Sequence, residues 1–253
     1  MIKEIAKLEE KIRLNENTYL IKVLSSKIAE EGVPGQFCNI KVSESNFPLL
    51  RRPFSISNIE DEFVFFMFDV QGEGTKILSQ KESGDELDIL GPLGNGFGFD
   101  DDFDTAVIVA GGIGVAAFPF LIDNIPDEKE VYSFIGGRTD KHVITNGMEN
   151  ILISTDDGSL GIKGNVIDLL KRNENLFEGK KIKMFACGPN PMLKALQSYA
   201  IEKKYNCELS IECAMACGFG ICQGCVVEDK ENEDKFKLVC VDGPVFDVEE
   251  IEL

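Results

Sequence analysis

Four cysteines near the end of the chain have the type and spacing for electron-transfer chemistry. Cys217, Cys222 and Cys225 form a C-x4-C-x2-C pattern, and Cys240 follows fifteen positions later. Three thiolates on one glycine-laced loop, with a fourth from a separate segment, is the plant-type ferredoxin spacing that holds a [2Fe–2S] cluster. Such a loop must turn its backbone N–H groups towards sulfur, and Gly218, Gly220 and Gly224 permit the close approach this needs. Structural zinc sites usually show two C-x2-C knuckles, whereas this segment has one such pair and an x4 arm. Taking Cys213 in place of Cys217 would open the first gap to eight residues, which fits no iron–sulfur spacing. Cys38, Cys187, Cys207 and Cys213 are read as small buried hydrophobes. A [2Fe–2S] centre exchanges electrons one at a time, so the chain is expected to be an electron conduit.

Two further constellations have the chemistry of nucleotide sites. Gly111-Gly112-Ile113-Gly114 follows an apolar run, where a strand hands over to a helix and backbone N–H groups can meet phosphate oxygens. The match is to G-x-G-x-x-A, with Ala117 in the last place, and alone it is a weak signal. Cys187-Gly188-Pro189 ends another apolar run, so both turns should face one crevice. Earlier in the chain, Arg51-Arg52-Pro53-Phe54-Ser55 sets cations, a ring and a hydroxyl within five residues, able to hold a diphosphate and stack on a flavin or adenine. An isolated arginine pair is ordinarily surface charge, and only the downstream unit lifts this one. Gly74-Thr75 offers a second phosphate-binding turn at an expected helix start. The one histidine, His142, is read as an exposed loop residue. Arg138 would favour a 2′-phosphorylated dinucleotide, whereas Asp156 and Asp157 would disfavour it, so the residues leave NAD against NADP open.

Positioning these groups takes three units. Residues 1–99 show short apolar runs (TYLIKVL, FCNIKV, FVFFMFDV) bounded by glycine-rich turns, which indicates a β-barrel or sandwich, with a helix at about 74–82. The acidic run Asp100–Asp104 is read as a boundary. Residues 100–205 alternate continuous apolar runs with helical segments, the pattern of a doubly wound parallel sheet. VAAFPFLIDNI is read as the helix after the first strand, VIDLLKRN and PMLKALQSYAIEK as later ones. Residues 206–253 form a small cysteine-rich unit.

Composition narrows the rest. The 253 residues are 43% hydrophobic and 28% charged, an ordinary globular balance. A formal net charge of −18 argues against nucleic-acid binding. No apolar run approaches the ~20 residues that span a bilayer. The start, MIKEIAKLEEKIRL, has no apolar core of a secretory signal, which points to the cytoplasm.

Taken together, Arg52-Pro53-Phe54-Ser55, the G-G-x-G turn and Cys187-Gly188-Pro189 resemble the ferredoxin–NADP reductase superfamily. Within it, the segments Met215–Cys225 and Leu238–Phe246 are similar to those of the electron transfer subunits of B-type dihydroorotate dehydrogenases, and the likeness runs over essentially the whole chain. The resemblance implies an FAD-binding barrel, an NAD-binding domain and a [2Fe–2S] ferredoxin-like domain. It implies an oxidoreductase subunit passing electrons between NAD(H) and an FMN-containing catalytic subunit in pyrimidine biosynthesis, as a hetero-oligomer with two of each subunit. By the same likeness Arg52, Pro53, Phe54, Ser55, Asp69, Val70, Gly74 and Thr75 would bind FAD. Gly111, Gly112, Gly114, Cys187, Gly188 and Pro189 would frame the nicotinamide nucleotide, and Cys217, Cys222, Cys225 and Cys240 would ligate the cluster. No residue is assigned as a catalyst, because direct hydride transfer needs no obligatory acid or base. A reductase subunit of a ferredoxin:NADP⁺ transhydrogenase or hydrogenase is the competing reading.

Overall fold

The computed structural model describes residues 1–43, 45–99, 102–230, 232 and 235–253. Of the acidic run read as a boundary, Asp100 and Asp101 lie outside the described residues.

The first half is a closed six-stranded antiparallel barrel. Its elements are β1 (Ile2–Arg13), β2 (Thr18–Leu24), α1 (Ser26–Glu31), β3 (Phe37–Lys41), β4 (Arg52–Glu60), β5 (Phe63–Asp69), α2 (Glu73–Gln80) and β6 (Glu86–Leu93). The strand order is β1-β2-β5-β4-β3-β6. Closure leaves no unpaired edge. The charged N-terminal stretch is itself a strand, pairing with β2 and β6 and turning Ala6 and Leu8 into the barrel. Strand β5 breaks the usual in–out alternation because both faces are buried. Val64, Phe66 and Phe68 fill the barrel, while Phe65 and Met67 pack against the second unit. Each such side chain contributes roughly 1.5–3 kcal/mol by burial, so this strand holds barrel and sheet together.

The second half begins with β7 (Thr105–Gly111), followed by a 3-10 helix over Gly112–Ala117 and the four-residue α3 (Pro119–Ile122). The single helix expected here is therefore split. Phe118 lies between the two pieces, and Pro119 starts the second at a position that needs no N–H. Then come β8 (Glu130–Gly137), β9 (Ile151–Thr155), β10 (Ile162–Lys163), α4 (Val166–Arg172), β11 (Ile182–Cys187), α5 (Asn190–Lys203) and β12 (Asn206–Ser210). The chain closes with β13 (Val226–Asp229), β14 (Phe236–Leu238), β15 (Val245–Asp247) and β16 (Ile251–Glu252).

The large sheet has the order β10-β9-β8-β7-β11-β12-β15, parallel except for β15. It thus runs on past residue 205 to take in β12 and, from the far end of the chain, β15. Between those two strands lies the cysteine-bearing segment with β13 and β14, which β16 joins from beyond β15 to make a small sheet of order β14-β13-β16. The central strands β7 and β11 are buried throughout and almost wholly apolar, as a sheet covered on both faces requires. Lys183 is the exception. Its stem runs through the core and its ammonium meets Glu208 at 2.9 Å, while the other Glu208 oxygen accepts from Gly98 N–H at 3.0 Å. The pair ties the segment after the barrel to the sheet.

Candidate functional site

Parallel strands present their C-terminal ends on one edge, where open α/β sheets bind ligands. Here the residues following β7, β8, β9, β11 and β12 all reach that edge, opposite the barrel. A cleft of about 480 Å³ lies along it, lined by Gly111, Gly112, Ile113, Gly136, Gly137, Arg138, His142, Asp156, Gly188, Pro189 and Glu212, with Asp69 and Gln71 from the barrel side. A second cavity of about 240 Å³ opens on the barrel, between Pro53, Phe54, Ser55, Phe68, Asp69 and Thr75 on one side and Ile113, Cys213, Met215 and Pro244 on the other. The two spaces share Asp69, Gln71, Ile113 and Glu212.

Most of the sequence-expected residues converge here, and the exceptions have physical reasons. Arg52 and Arg51 separate. Arg51 is structural, its guanidinium 2.8 Å from the Asp88 carboxylate and donating to the Asp88 carbonyl at 2.7 Å. Arg52 lies against the start of α2, where a Cβ on Gly74 would come within 2.8 Å of its Nε. Gly74 therefore serves by being small rather than by lining the cavity. Thr75 does line it, and its hydroxyl oxygen accepts from Gln71 N–H and Gly72 N–H at 3.0 and 3.2 Å. Val70 packs against the barrel core and donates its N–H to the Asn17 carbonyl.

On the sheet side, Gly112 has φ +54° and Gly188 φ +155°, both strained for other residues. Gly114 is set back from the cleft. A Cβ there would lie 2.3 Å from the Cys187 carbonyl oxygen, so this glycine allows the strand-end turns to touch. The Cys187 side chain is likewise behind the wall, in the core, with its thiol 4.0 Å from the Glu212 carboxylate. Burial first, and that carboxylate second, push its thiol well above the ordinary range, which suits a wall and not a nucleophile. His142, read as an exposed loop residue, is half-buried in the cleft wall, bonded to Thr139 Oγ1 at 2.9 Å and to Arg138 Nη2 at 3.1 Å.

Glu212 escaped the sequence reading. It stands two residues past the end of β12, its side chain exposed into the two cavities it lines. Burial, with the Asp69 charge second, raises its carboxyl above the usual range. Its place after a strand end, like Gly111 and Gly188, was the only signal available.

From Glu212 the chain leads directly to the cysteine loop. Cys213 and Met215 line the barrel-side cavity, and Cys217 begins the ligand motif. The five residues from Cys213 to Cys217 reach at most about 18 Å. Cys217 and Cys222 lie sulfur to sulfur at 3.3 Å, and Cys222 N–H donates to Cys217 Sγ at 3.4 Å. Burial works upward on the Cys217 thiol, but backbone N–H groups of Cys222 and Phe219 outweigh it and bring the thiol down to about 6. Cys225 and Cys240 are buried against each other, and burial with the adjoining Cys225 thiol pushes Cys240 up to about 12. Among the described residues no three His, Cys, Asp or Glu groups close on a single ion position. The thiols fall instead into two pairs, the arrangement a sulfide-bridged two-iron centre needs. Gly218 (φ +81°) and Gly220 (φ +86°) make the turns, and a Cβ on Gly218 would sit 1.9 Å from Asn39 Nδ2. That amide, from β3 of the barrel, donates to the Cys217 carbonyl at 3.1 Å and pins the loop.

Comparison with known proteins agrees with this layout. The family described as the iron–sulfur cluster binding domain of dihydroorotate dehydrogenase B matches residues 212–252. Among solved structures, a chain of the NADH-dependent reduced ferredoxin–NADP oxidoreductase studied for flavin-based electron bifurcation superposes with TM-score 0.85 at 27% identity, covering 98% of this chain and 90% of that one. A ferredoxin reductase of carbazole 1,9a-dioxygenase, at 22% identity and TM-score 0.65 over 81% of this chain and 66% of that one, shares the fold. The electron transfer subunit of dihydroorotate dehydrogenase B (NAD(+)) from Bacillus pumilus is 40% identical over 87% of this chain and 86% of its own length. That from Desulforamulus reducens is 38% identical over 91% and 90%. With its barrel, parallel sheet and cysteine loop in the matching order, the chain belongs to the family of dihydroorotate dehydrogenase B (NAD(+)) electron transfer subunits.

Proposed function

We propose that the barrel-side cavity holds the flavin ring of FAD, that the cleft holds NAD(H), and that Cys217, Cys222, Cys225 and Cys240 hold a [2Fe–2S] cluster serving a separate catalytic subunit. The observation that carries this reading is the shared wall of the two cavities, from which one five-residue stretch leads to the first cysteine ligand. The cavity fits a flat ring with a polar rim, since Phe54 and Phe68 supply faces while Ser55, Asp69 and Thr75 supply hydrogen-bonding groups. Arg52 and the N–H groups at the start of α2 suit a diphosphate. The paired thiols and the N–H groups aimed at Cys217 suit a cluster.

Bound FAD would exchange a hydride with the nicotinamide and single electrons with the cluster. The chain's own part is to align and insulate. Gly111, Gly112 and Gly188 let the dinucleotide approach the strand ends without a Cβ in the way. Ile113, shared by both spaces, sets the approach of the two rings. Hydride transfer moves one proton with two electrons, and electrons leaving singly leave that proton behind. Glu212, on the shared wall and with a raised proton affinity, is placed to hold it. Cys213 and Met215 close the gap between cavity and cluster.

On this reading the exposed Cys222 side of the loop, flanked by Ile221 (77% exposed) and Phe219 (38%), faces the FMN-bearing catalytic subunit in a complex with two of each subunit. All eight cysteines are free, in keeping with a reducing compartment, and among the described residues no helix is long and apolar enough to cross a membrane. We place the chain in the cytoplasm. The division into units at 1–99, 100–205 and 206–253 is likewise proposed as functional, with β12 and β15 anchoring the third unit to the sheet of the second.

The test is reconstitution of the FAD- and cluster-loaded chain with the catalytic subunit of a dihydroorotate dehydrogenase B from the same cell. NAD⁺-dependent oxidation of dihydroorotate by the pair, and by neither part alone, is the expected result. Electron delivery to ferredoxin with no coupling to that subunit would support the transhydrogenase reading instead.

A further inference from the structure

We propose that Asn39 and Asn95, two residues of the barrel unit outside the cysteine motif and off the walls of both cavities, are positioning residues for the cluster. Each holds one of the two thiol pairs to the barrel. This rests on the reading of the four cysteines as cluster ligands and of the barrel-side cavity as the flavin site, and adds what fixes one relative to the other.

Each thiol pair has its own tie. Cys217 and Cys222 sit on the exposed loop, and Asn39, in the middle of β3, donates from Nδ2 to the Cys217 carbonyl at 3.1 Å. Among the described residues no other hydrogen bond reaches residues 217–224 from outside the cysteine-bearing unit. Cys225 and Cys240 are joined to each other, with Val239 N–H donating to the Cys225 carbonyl at 2.8 Å. The two residues after Cys240 are held by Asn95, whose Nδ2 donates to the Asp242 carbonyl at 2.8 Å and to the Val241 carbonyl at 3.3 Å. Asn95 N–H adds a bond to the Gly243 carbonyl at 2.6 Å.

The same stretches of chain border the barrel-side cavity. Asn39 lies opposite Pro53 in the β3–β4 register, and Asn95 forms a β-bridge with Pro244. Pro53 and Pro244 both line that cavity. The anchors of the cysteines and the walls of the flavin space are thus neighbouring positions on one scaffold, and sites carried by such rigid elements hold their geometry best. A cluster fed from a flavin needs this, because electron transfer slows steeply as the two centres move apart.

Asn39 is a poor choice for stability alone. Its side chain is buried, and Oδ1 has no hydrogen-bond partner. A buried carbonyl left unpaired opposes folding, and an apolar side chain of the same shape would avoid that cost. The amide is therefore explained by the carbonyl it holds and not by the core around it.

The experiment follows iron release to a chelator from the FAD- and cluster-loaded chain, with the midpoint potential of the cluster as a second readout. Asn39→Leu should release iron about tenfold faster, the lower end of the effect of losing a group that orients a metal ligand. It should also lower the potential, since a donor dipole beside Cys217 is gone. The cluster-free variant should melt no lower than the wild type, and NADH should reduce bound FAD as before. Asn39→His, which keeps an N–H the same number of bonds from Cα, should retain iron nearly as the wild type does. Asn95→Ala, on an exposed side chain, should speed release about threefold, because two neutral hydrogen bonds are lost while the N–H bond to Gly243 stays. Wild-type release and potential in both Asn39→Leu and Asn95→Ala would overturn the proposal while the cluster reading stands. So would a lower cluster-free melting temperature of Asn39→Leu with unchanged iron release, which would make Asn39 a residue of the fold alone. If the wild type takes up no iron and sulfide, the reading of the four cysteines fails and this inference with it.

Discussion

The cysteine loop and the strand-end cleft are two candidate sites on one chain built by opposite means. The loop draws three of its four thiols from nine consecutive residues, Cys217–Cys225, with a fourth at Cys240. It is short, half-exposed and pinned to the barrel by the Asn39 amide. The cleft has almost no dedicated side chains. It is the row of ends of five buried parallel strands, and its defining residues span Asp69 to Glu212. A site made of a few thiols is vulnerable at each of them, whereas one made of backbone is vulnerable wherever a side chain is added.

The largest effect should therefore come from the loop. On the proposed reading, Cys222→Ser removes an exposed cluster ligand that carries no core packing, so the fold should persist while the cluster is lost. Electron delivery to the catalytic subunit should fall to background, and reduction of bound FAD by NADH, followed by loss of its visible absorbance, should continue. Loss of FAD reduction as well would mean that the two sites are not separable and would break the comparison.

In the cleft the matching experiment adds a side chain. Gly114→Val would drive its Cβ to within 2.3 Å of the Cys187 carbonyl oxygen, where only backbone can move. We expect about 3 kcal/mol of destabilisation by denaturant unfolding, with weakened NAD⁺ binding in whatever folds. Gly114 also shows how far the sequence could be read. The glycine turn does bring Gly111 and Gly112 to the cleft, but its third glycine is there to let two turns touch, a fact about a partner 73 positions away. Glu212 was invisible for the same reason, since nothing in Ile211-Glu212-Cys213 distinguishes it until β12 is seen beside β11. The cysteine loop was legible because its geometry is encoded in spacing along one segment. The split after β7 was missed because its apolar run reads as helix throughout, although Phe118 and Pro119 end one piece and begin the next.

Arg51 and Arg52 make the contrast at single-residue scale. Adjacent on β4 and its approach, they point to different jobs: one pairs with Asp88, the other lies along the α2 N-terminus. Arg51→Ala should cost about 2 kcal/mol of stability, because it leaves a largely buried carboxylate with only the exposed Lys3 ammonium at 3.7 Å, and leave FAD affinity nearly unchanged. Arg52→Ala should do the reverse, weakening FAD about tenfold, the scale of a lost charged hydrogen bond, with little change in the unfolding midpoint of the FAD-free chain. Equal effects from the two would show that the diphosphate is held elsewhere.

The smallest predicted effect lies on the wall where the two cavities meet. Burial and Asp69 raise the Glu212 carboxyl, so the folded chain holds that proton more tightly than the unfolded chain does. For a raised pKa the favourable contribution is complete below the unfolded value, near 4.3 for glutamate. It is lost as the pH rises through the folded value, above which the poorly solvated charge beside Asp69 opposes folding. Glu212→Gln removes that dependence. The FAD-free variant should melt higher than the wild type at pH 7, and the gap should close as the pH falls towards 4. Asp69→Asn, which takes away the neighbouring charge, should narrow the gap at neutral pH without abolishing it, since burial is the larger cause. A wild type whose melting temperature tracks that of Glu212→Gln across the whole range would mean that the carboxylate is ordinarily solvated, and Glu212 would lose its proposed role of holding a proton on the shared wall.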